Sequence, residues 1–209
     1  MLPIPRPPGL WPRLARLLFG LVLFGFGLAL MVIADLGLSP WDVFHQGVSQ
    51  RTGIPIGTVV IITGLLLLVL WIPLKERIGI GTIANAIVIG LTLDLFLLIL
   101  PGQIDALAVR WLSMLLGVLL VAIGSGFYIG AGLGPGPRDG LMTGITRRTG
   151  YPLGLVRGVL EIGVLIIGWL LGGTVGVGTL VFAFGIGPLV QFFLNRLQIT
   201  PVIAAEEAP

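Results

Sequence analysis

The chain has 209 residues, of which 56% are hydrophobic and 10% charged, and its mean hydropathy is +1.10. Soluble domains carry about 25% charged residues, so a water-soluble enzyme is excluded and an all-α polytopic membrane protein is left. The net charge of +3 rests on twelve Lys and Arg, which read as topology signals and not as a nucleic-acid footprint.

Residues 1–13 are rich in proline and predict a disordered cytoplasmic tail. Six long apolar segments follow, at roughly 14–35, 57–73, 79–100, 111–131, 153–171 and 177–195. Each is close to the roughly 20 residues that cross a hydrocarbon core. The first outruns the apolar stretch of a signal peptide, and no A-x-A-like cleavage site follows it, so it reads as an uncleaved helix. The tail 197–209 carries Glu206 and Glu207 and is weakly acidic.

With six spans, one side of the membrane receives Arg6, Arg13, Arg16, Lys75, Arg77, Arg138, Arg147, Arg148 and Arg196. The other side receives Arg51 and Arg110. Such a bias places both termini in the cytoplasm. Trp11 and Trp71 fall at the inner boundaries, and Trp41, Trp111 and Trp169 at the outer ones, as an interfacial belt would.

A shift of 97 positions aligns the two halves without a gap. The stretch 34–59, ADLGLSPWDVFHQGVSQRTGIPIGTV, lies over 131–156, AGLGPGPRDGLMTGITRRTGYPLGLV. Further on, IGIGTIANA (78–86) lies over VGVGTLVFA (175–183). Shared composition does not explain the run RTG-x-P-x-G in both halves, whose order includes non-apolar types. Repeat 1 covers 14–101 and repeat 2 covers 110–196, each with three spans. An odd number of spans inverts the second repeat against the first, an architecture found in secondary transporters.

Each repeat also holds a short helix. Ser39, Pro40 and Asp42 suit an N-cap, the first helical position and the third. This helix runs over 40–52 and stops at Gly53; its copy runs from Pro137 over 137–149 and stops at Gly150. About 12 residues span near 18 Å, too little to cross. Such a helix lies in the interface or re-enters the membrane, and only the second case brings its N-terminus, with Asp42 or Asp139, to a site. A second duplicated motif, Gly79, Gly81 and Thr82 against Gly176, Gly178 and Thr179, opens the third span of each half and reads as helix packing. Gly20, Gly27, Gly117 and Gly124 mark a close-packed helix face.

Charges within spans mark pathways. Asp94 lies in the third span; Arg157 and Glu161 lie four apart in the fifth, with Glu161 nearest the midplane. Arg157 and Glu161 pair with each other or with other helices. Gln191 is the repeat counterpart of Asp94, and both are candidates to face the interior; Asn85 lines the same cavity or bonds helices together. His45, the one histidine, reads as a solvated interfacial residue. With no cysteine, the sequence supplies no thiolate nucleophile and no cluster of metal ligands, so neither metal nor cofactor is expected. It also has no G-x-S-x-G elbow, so an enzyme is not expected.

The motifs Gly37-Leu38-Ser39-Pro40-Trp41-Asp42, Thr52-Gly53 with Gly57, and Gly79-x-Gly81-Thr82 resemble those of the bacterial YczE/YyaS/YitT-type membrane proteins, closest to the YczE-like branch. The second copy keeps Gly134 and Pro137 but replaces Trp41 by Arg138 and Ser39 by Gly136. The resemblance implies a bacterial inner-membrane protein. The leading expectation is a small-molecule transporter or exporter with its site at the repeat interface. A passive channel and a non-transporting accessory protein are the alternatives. Its partners are then the lipid bilayer and a small molecule; a homodimer or a membrane partner protein stays open, and no nucleic acid is expected.

Overall fold

The computed structural model describes residues 9–100, 102 and 104–199. Among them are eight helices and no strand: α1 (Leu10–Ala34), α2 (Pro40–Thr52), α3 (Ile56–Leu74), α4 (Ile80–Ile99), α5 (Leu107–Gly130), α6 (Pro137–Thr149), α7 (Leu153–Leu170) and α8 (Val177–Leu197). Six of them, all but α2 and α6, are 18 to 25 residues long and apolar enough to cross a membrane. The protein is therefore a multi-pass membrane protein. The expected spans are present, with α1 and α5 each starting four residues before the expected run. Helix α1 begins at Leu10, because Pro12 falls in its first turn, where a backbone N–H has no intrahelical acceptor to lose. The tail expectations at 1–8 and 200–209 lie outside the described residues.

The helix starts recur at the shift seen in the sequence: 10, 40, 56 and 80 in the first half, 107, 137, 153 and 177 in the second. Local backbone recurs with them. Gly37 and Gly134 have φ of 112° and 120°, a region that disfavours any side chain. At Gly37 a Cβ would also lie 2.6 Å from the backbone nitrogen of Gly176.

At the centre α1 and α5 run antiparallel, Gly20 facing Gly124 and Gly27 facing Gly117. A Cβ on Gly20 or Gly27 would meet a carbonyl oxygen across the seam at 2.7 Å. Lipid supplies no hydrophobic drive between helices, so close backbone approach and dispersion hold this pair. An arginine clasps each end. Arg13 Nε donates to the Ala131 carbonyl oxygen at 2.8 Å, and Arg110 Nε to that of Ala34 at 2.7 Å. Both acceptors are helix C-terminal carbonyls that would otherwise lack a partner.

Helix α4 packs on α1 and α8 on α5, while the short helices cross over: α2 lies along α7 and α6 along α3. The duplicated Gly-x-Gly-Thr motif joins α4 and α8 each to a loop of the other half. Gly79 N–H donates to Thr82 Oγ1 at 3.2 Å, and Gly176 N–H to Thr179 Oγ1 at 3.3 Å. The next glycine in each, Gly81 and Gly178, donates to the Leu133 and Leu36 carbonyls at 2.8 and 2.7 Å.

One seam is not duplicated. Helices α3 and α4 close on each other, with Gly57 against Gly90: a Cβ on Gly57 would stand 2.0 Å from the Gly90 carbonyl oxygen. Their counterparts on α7 and α8, Gly154 and Gly187, have open space where a Cβ would go, and the two helices form no comparable seam.

Two tryptophans depart from the expected belt. Trp71 is fully buried and donates from Nε1 to the Pro137 carbonyl oxygen at 3.0 Å. Trp41 is buried among Leu67, Leu141, Met142 and Val156. Both serve the docking of the short helices, which the belt rule does not foresee.

Candidate functional site

Each short helix runs from a first turn inside the protein to a last turn at its surface: Ser39 to Val43 are buried, while Arg51 and Thr52 are exposed. The first turn of α2 is built as its sequence requires. Ser39 Oγ accepts the Asp42 N–H at 3.3 Å and in turn donates to the Asp42 carboxylate. The other carboxylate oxygen of Asp42 lies 3.2 Å from His45 Nδ1 and 3.5 Å from Arg138 Nη2, on the first turn of α6. The two N-termini thus meet, and the Arg138 guanidinium also lies over the Trp41 ring, 5.3 Å from its centroid.

Beside them is a cavity of about 330 Å³, at the lower end of the range for small-molecule sites, roughly 300–1,000 Å³. Its walls come from both halves, including α1, α3, α4, α5, α7 and α8. Of the residues expected at a site, it brings together Asp42, Asp139, Asn85, Arg157, Glu161 and Gln191. Asp139 is open to solvent and accepts from Tyr128 Oη at 3.1 Å. Arg157 Nε donates to Glu161 Oε1 at 2.8 Å, so these two pair within α7 and not with other helices.

Asp94 is the exception. It is not on the cavity wall but in the α3/α4 seam, where Oδ1 accepts the Gly57 N–H at 2.6 Å and Oδ2 accepts Thr58 Oγ1 at 3.0 Å. It satisfies N–H and hydroxyl groups at the start of α3, a capping task that its position in an apolar run conceals. His45 is not solvated either. It is fully buried, because its i, i+3 spacing from Asp42 turns the ring inward toward that carboxylate.

Sequence reasoning missed Arg138 and Tyr128. The charge count puts Arg138 with the cytoplasmic loop residues, yet it reaches Asp42 in the interior; the charge bias survives without it. The signal for it lay in the repeat, where Arg138 replaces Trp41 within an otherwise matched motif. Tyr128 carries no motif and is found only by its hydrogen bond to Asp139.

A model of a family of unknown function, DUF6198, matches residues 11–195, from the first turn of α1 to the end of α8. The chain belongs to this family. It is 44% identical over 197 residues to an uncharacterised protein of Haemophilus influenzae, covering 94% of this chain and 90% of that one. It is 38% identical over 180 residues to the uncharacterised membrane protein YczE of Bacillus subtilis, covering 85% and 83%. It is 25% identical over 183 residues to YyaS of the same organism, covering 86% and 90%. No solved structure matches. The two Bacillus subtilis relatives agree with the resemblance carried by the Gly37–Asp42 motif.

Proposed function

We propose that this protein is a small-molecule transporter of a bacterial inner membrane, built as two inverted three-helix repeats and working by alternating access. The reciprocal contacts support the inversion: Arg13 and Arg110 are 97 positions apart and clasp carbonyls 97 positions apart. Antiparallel α1 and α5 are what an axis in the membrane plane would relate. The Lys and Arg bias then places both termini in the cytoplasm.

The observation that carries the reading is the unequal seam. Helices α3 and α4 are closed near the start of α3 and the end of α4, toward the outside. Helices α7 and α8 are apart near the start of α7 and the end of α8, toward the cytoplasm. The cavity lies between, lined on the open side by Arg157, Glu161, Gly187 and Gln191. Gly154 and Gly187 do nothing sterically in this conformation. They acquire a use if α7 closes on α8 as α3 closes on α4, Gly154 meeting Gly187 as Gly57 meets Gly90. Exchange of the two seams would then turn the cavity from one side to the other, and the protein would carry its substrate unchanged. A channel needs no such reserved contact.

Cysteine pairs test it directly, since the chain has no native cysteine. Leu155 and Gln191 are the counterparts of Thr58 and Asp94, which hydrogen-bond in the closed seam. The double variant Leu155→Cys/Gln191→Cys is expected to cross-link in native membranes with a short bifunctional thiol reagent. A pair that stays uncross-linked, while Thr58→Cys/Asp94→Cys reacts, would remove the exchange and with it the transport reading.

A further inference from the structure

We propose that the cavity takes an organic cation with an apolar body, its positive charge seated on Asp139. This deepens the transport reading and rests on it for its biological use, but binding is measured without flux.

The charged side chains of the cavity do not balance. Five Asp, Glu and Arg side chains line the cavity: Asp42, Arg138, Asp139, Arg157 and Glu161. Four of them form two pairs, Arg138 with Asp42 at 3.5 Å and Arg157 with Glu161 at 2.8 Å. Asp139 is the fifth. Among the described residues no basic group lies within ion-pair distance of it, and its one side-chain partner is the neutral Tyr128 hydroxyl. Desolvation pushes the Asp139 carboxyl up from its ordinary range, and two features act against that shift: its place in the first turn of α6, where the helix dipole favours a carboxylate, and the Tyr128 hydroxyl that donates to it. The cavity thus presents one accessible negative charge in excess.

The repeat sharpens the point. Asp42 is the counterpart of Asp139, and Arg138 neutralises it; the position equivalent to Arg138 in the first half is Trp41, which offers Asp139 no charge. Loss of symmetry at that one position leaves one of the two carboxylates free. An anionic ligand fits worse, because each arginine already holds a carboxylate that the ligand would have to displace.

The walls decide the rest of the ligand. Phe24, Trp41, Tyr128 and Phe182 bring aromatic surface, and Val121 and Ile186 bring aliphatic surface. Aromatic faces attract cations, and apolar walls favour a hydrocarbon body. A bare metal ion is the wrong occupant: hard divalent cations want about six oxygen ligands, whereas the described residues hold no cluster of three acidic or histidine side chains.

Two near-isosteric probes of opposite charge test the sign. The purified full chain in detergent is titrated with tetraphenylphosphonium and, separately, with tetraphenylborate. Saturable binding of the phosphonium and none of the borate is expected. Asp139→Asn should weaken phosphonium binding by about tenfold or more, the loss of one charge contact, while Asp139→Glu retains it. Should Asp139→Asn not fold, Glu161→Gln gives an independent reading. It leaves Arg157 unpaired in the cavity, so phosphonium binding should weaken and borate binding appear. Equal binding of both probes, binding of neither, or phosphonium binding indifferent to Asp139→Asn and Glu161→Gln would overturn the proposal. Those outcomes leave the α7/α8 cross-link untouched, and an absent cross-link with charge-selective binding would sink only the transport reading.

Discussion

Arg138, on the first turn of α6, lies 3.5 Å from the carboxylate of Asp42, on the first turn of α2. The contact joins the two halves of the chain at the point where both short helices end inside the protein. Asp42 is buried on its own helix with Ser39 and His45, while Arg138 keeps about a quarter of its side chain accessible, 26%. The pair therefore does two things: it locks the short helices together and it forms a wall of the cavity.

Removing one member should cost more than removing both. Arg138→Gln leaves a buried carboxylate without its cation, a change worth roughly 3–5 kcal/mol at a fully buried site and less at this partly accessible one. Asp42→Asn in the same chain removes the stranded charge. Thermal unfolding in detergent is expected to show a clear loss for Arg138→Gln and substantial recovery in the double variant. Additive losses would mean that the two groups do not interact.

The unequal seams give a contrast between matched glycines. A methyl group on Gly57 has no room against the Gly90 carbonyl, so Gly57→Ala should destabilise by about 1–3 kcal/mol, as overpacking does. A methyl group on Gly154 meets open space, and Gly154→Ala should stay within about 1 kcal/mol of the parent, the helix-propensity difference alone. The two melting curves decide it; equal losses would mean that α7 rests against α8.

Much of the fold was legible because the relevant signals are local. Apolar length gave six spans, and the Ser39-Pro40 start with its Gly53 stop gave α2 to the residue. The repeat gave the second set of elements for the same reason. The site was legible in part. Asp42, Asp139, Arg157 and Glu161 announce themselves as charges in apolar surroundings. Their partners do not: whether Arg157 bonds Glu161 or another helix depends on rotamers. Whether Asp94 faces a cavity or caps α3 depends on how two helices 37 residues apart in sequence are rotated. The open α7/α8 seam leaves no trace at all in the sequence, since the glycines that would close it are present in both halves.

The proposed inversion predicts sidedness, which is checked at the exposed ends of the short helices. Thr52 and Thr149 are 97 positions apart and both exposed. With Thr52→Cys and Thr149→Cys in intact cells, a membrane-impermeant thiol reagent is expected to label the first alone. Labelling of both at the same rate would place the two ends on one side and remove the inversion.

Asp94 offers the last prediction, because it holds the closed seam through two bonds at once. An asparagine there accepts through one oxygen only, so Asp94→Asn should forfeit either the Gly57 N–H or the Thr58 hydroxyl. A hydrogen bond to a charged group contributes about 1.5–3 kcal/mol, enough to shift a balance between two seams by tenfold or more. Under the proposed exchange, the expected consequence is an α3/α4 seam that opens more often. A cysteine at Asn85, on the cavity wall, reports on it. In the Asn85→Cys background, impermeant reagent applied from outside should label faster once Asp94→Asn is added. It should slow again when Thr58→Asp restores a carboxylate from the α3 side of the seam, where the new amide can donate to it. An unchanged labelling rate would mean that Asp94 caps α3 and has no part in the proposed exchange of seams.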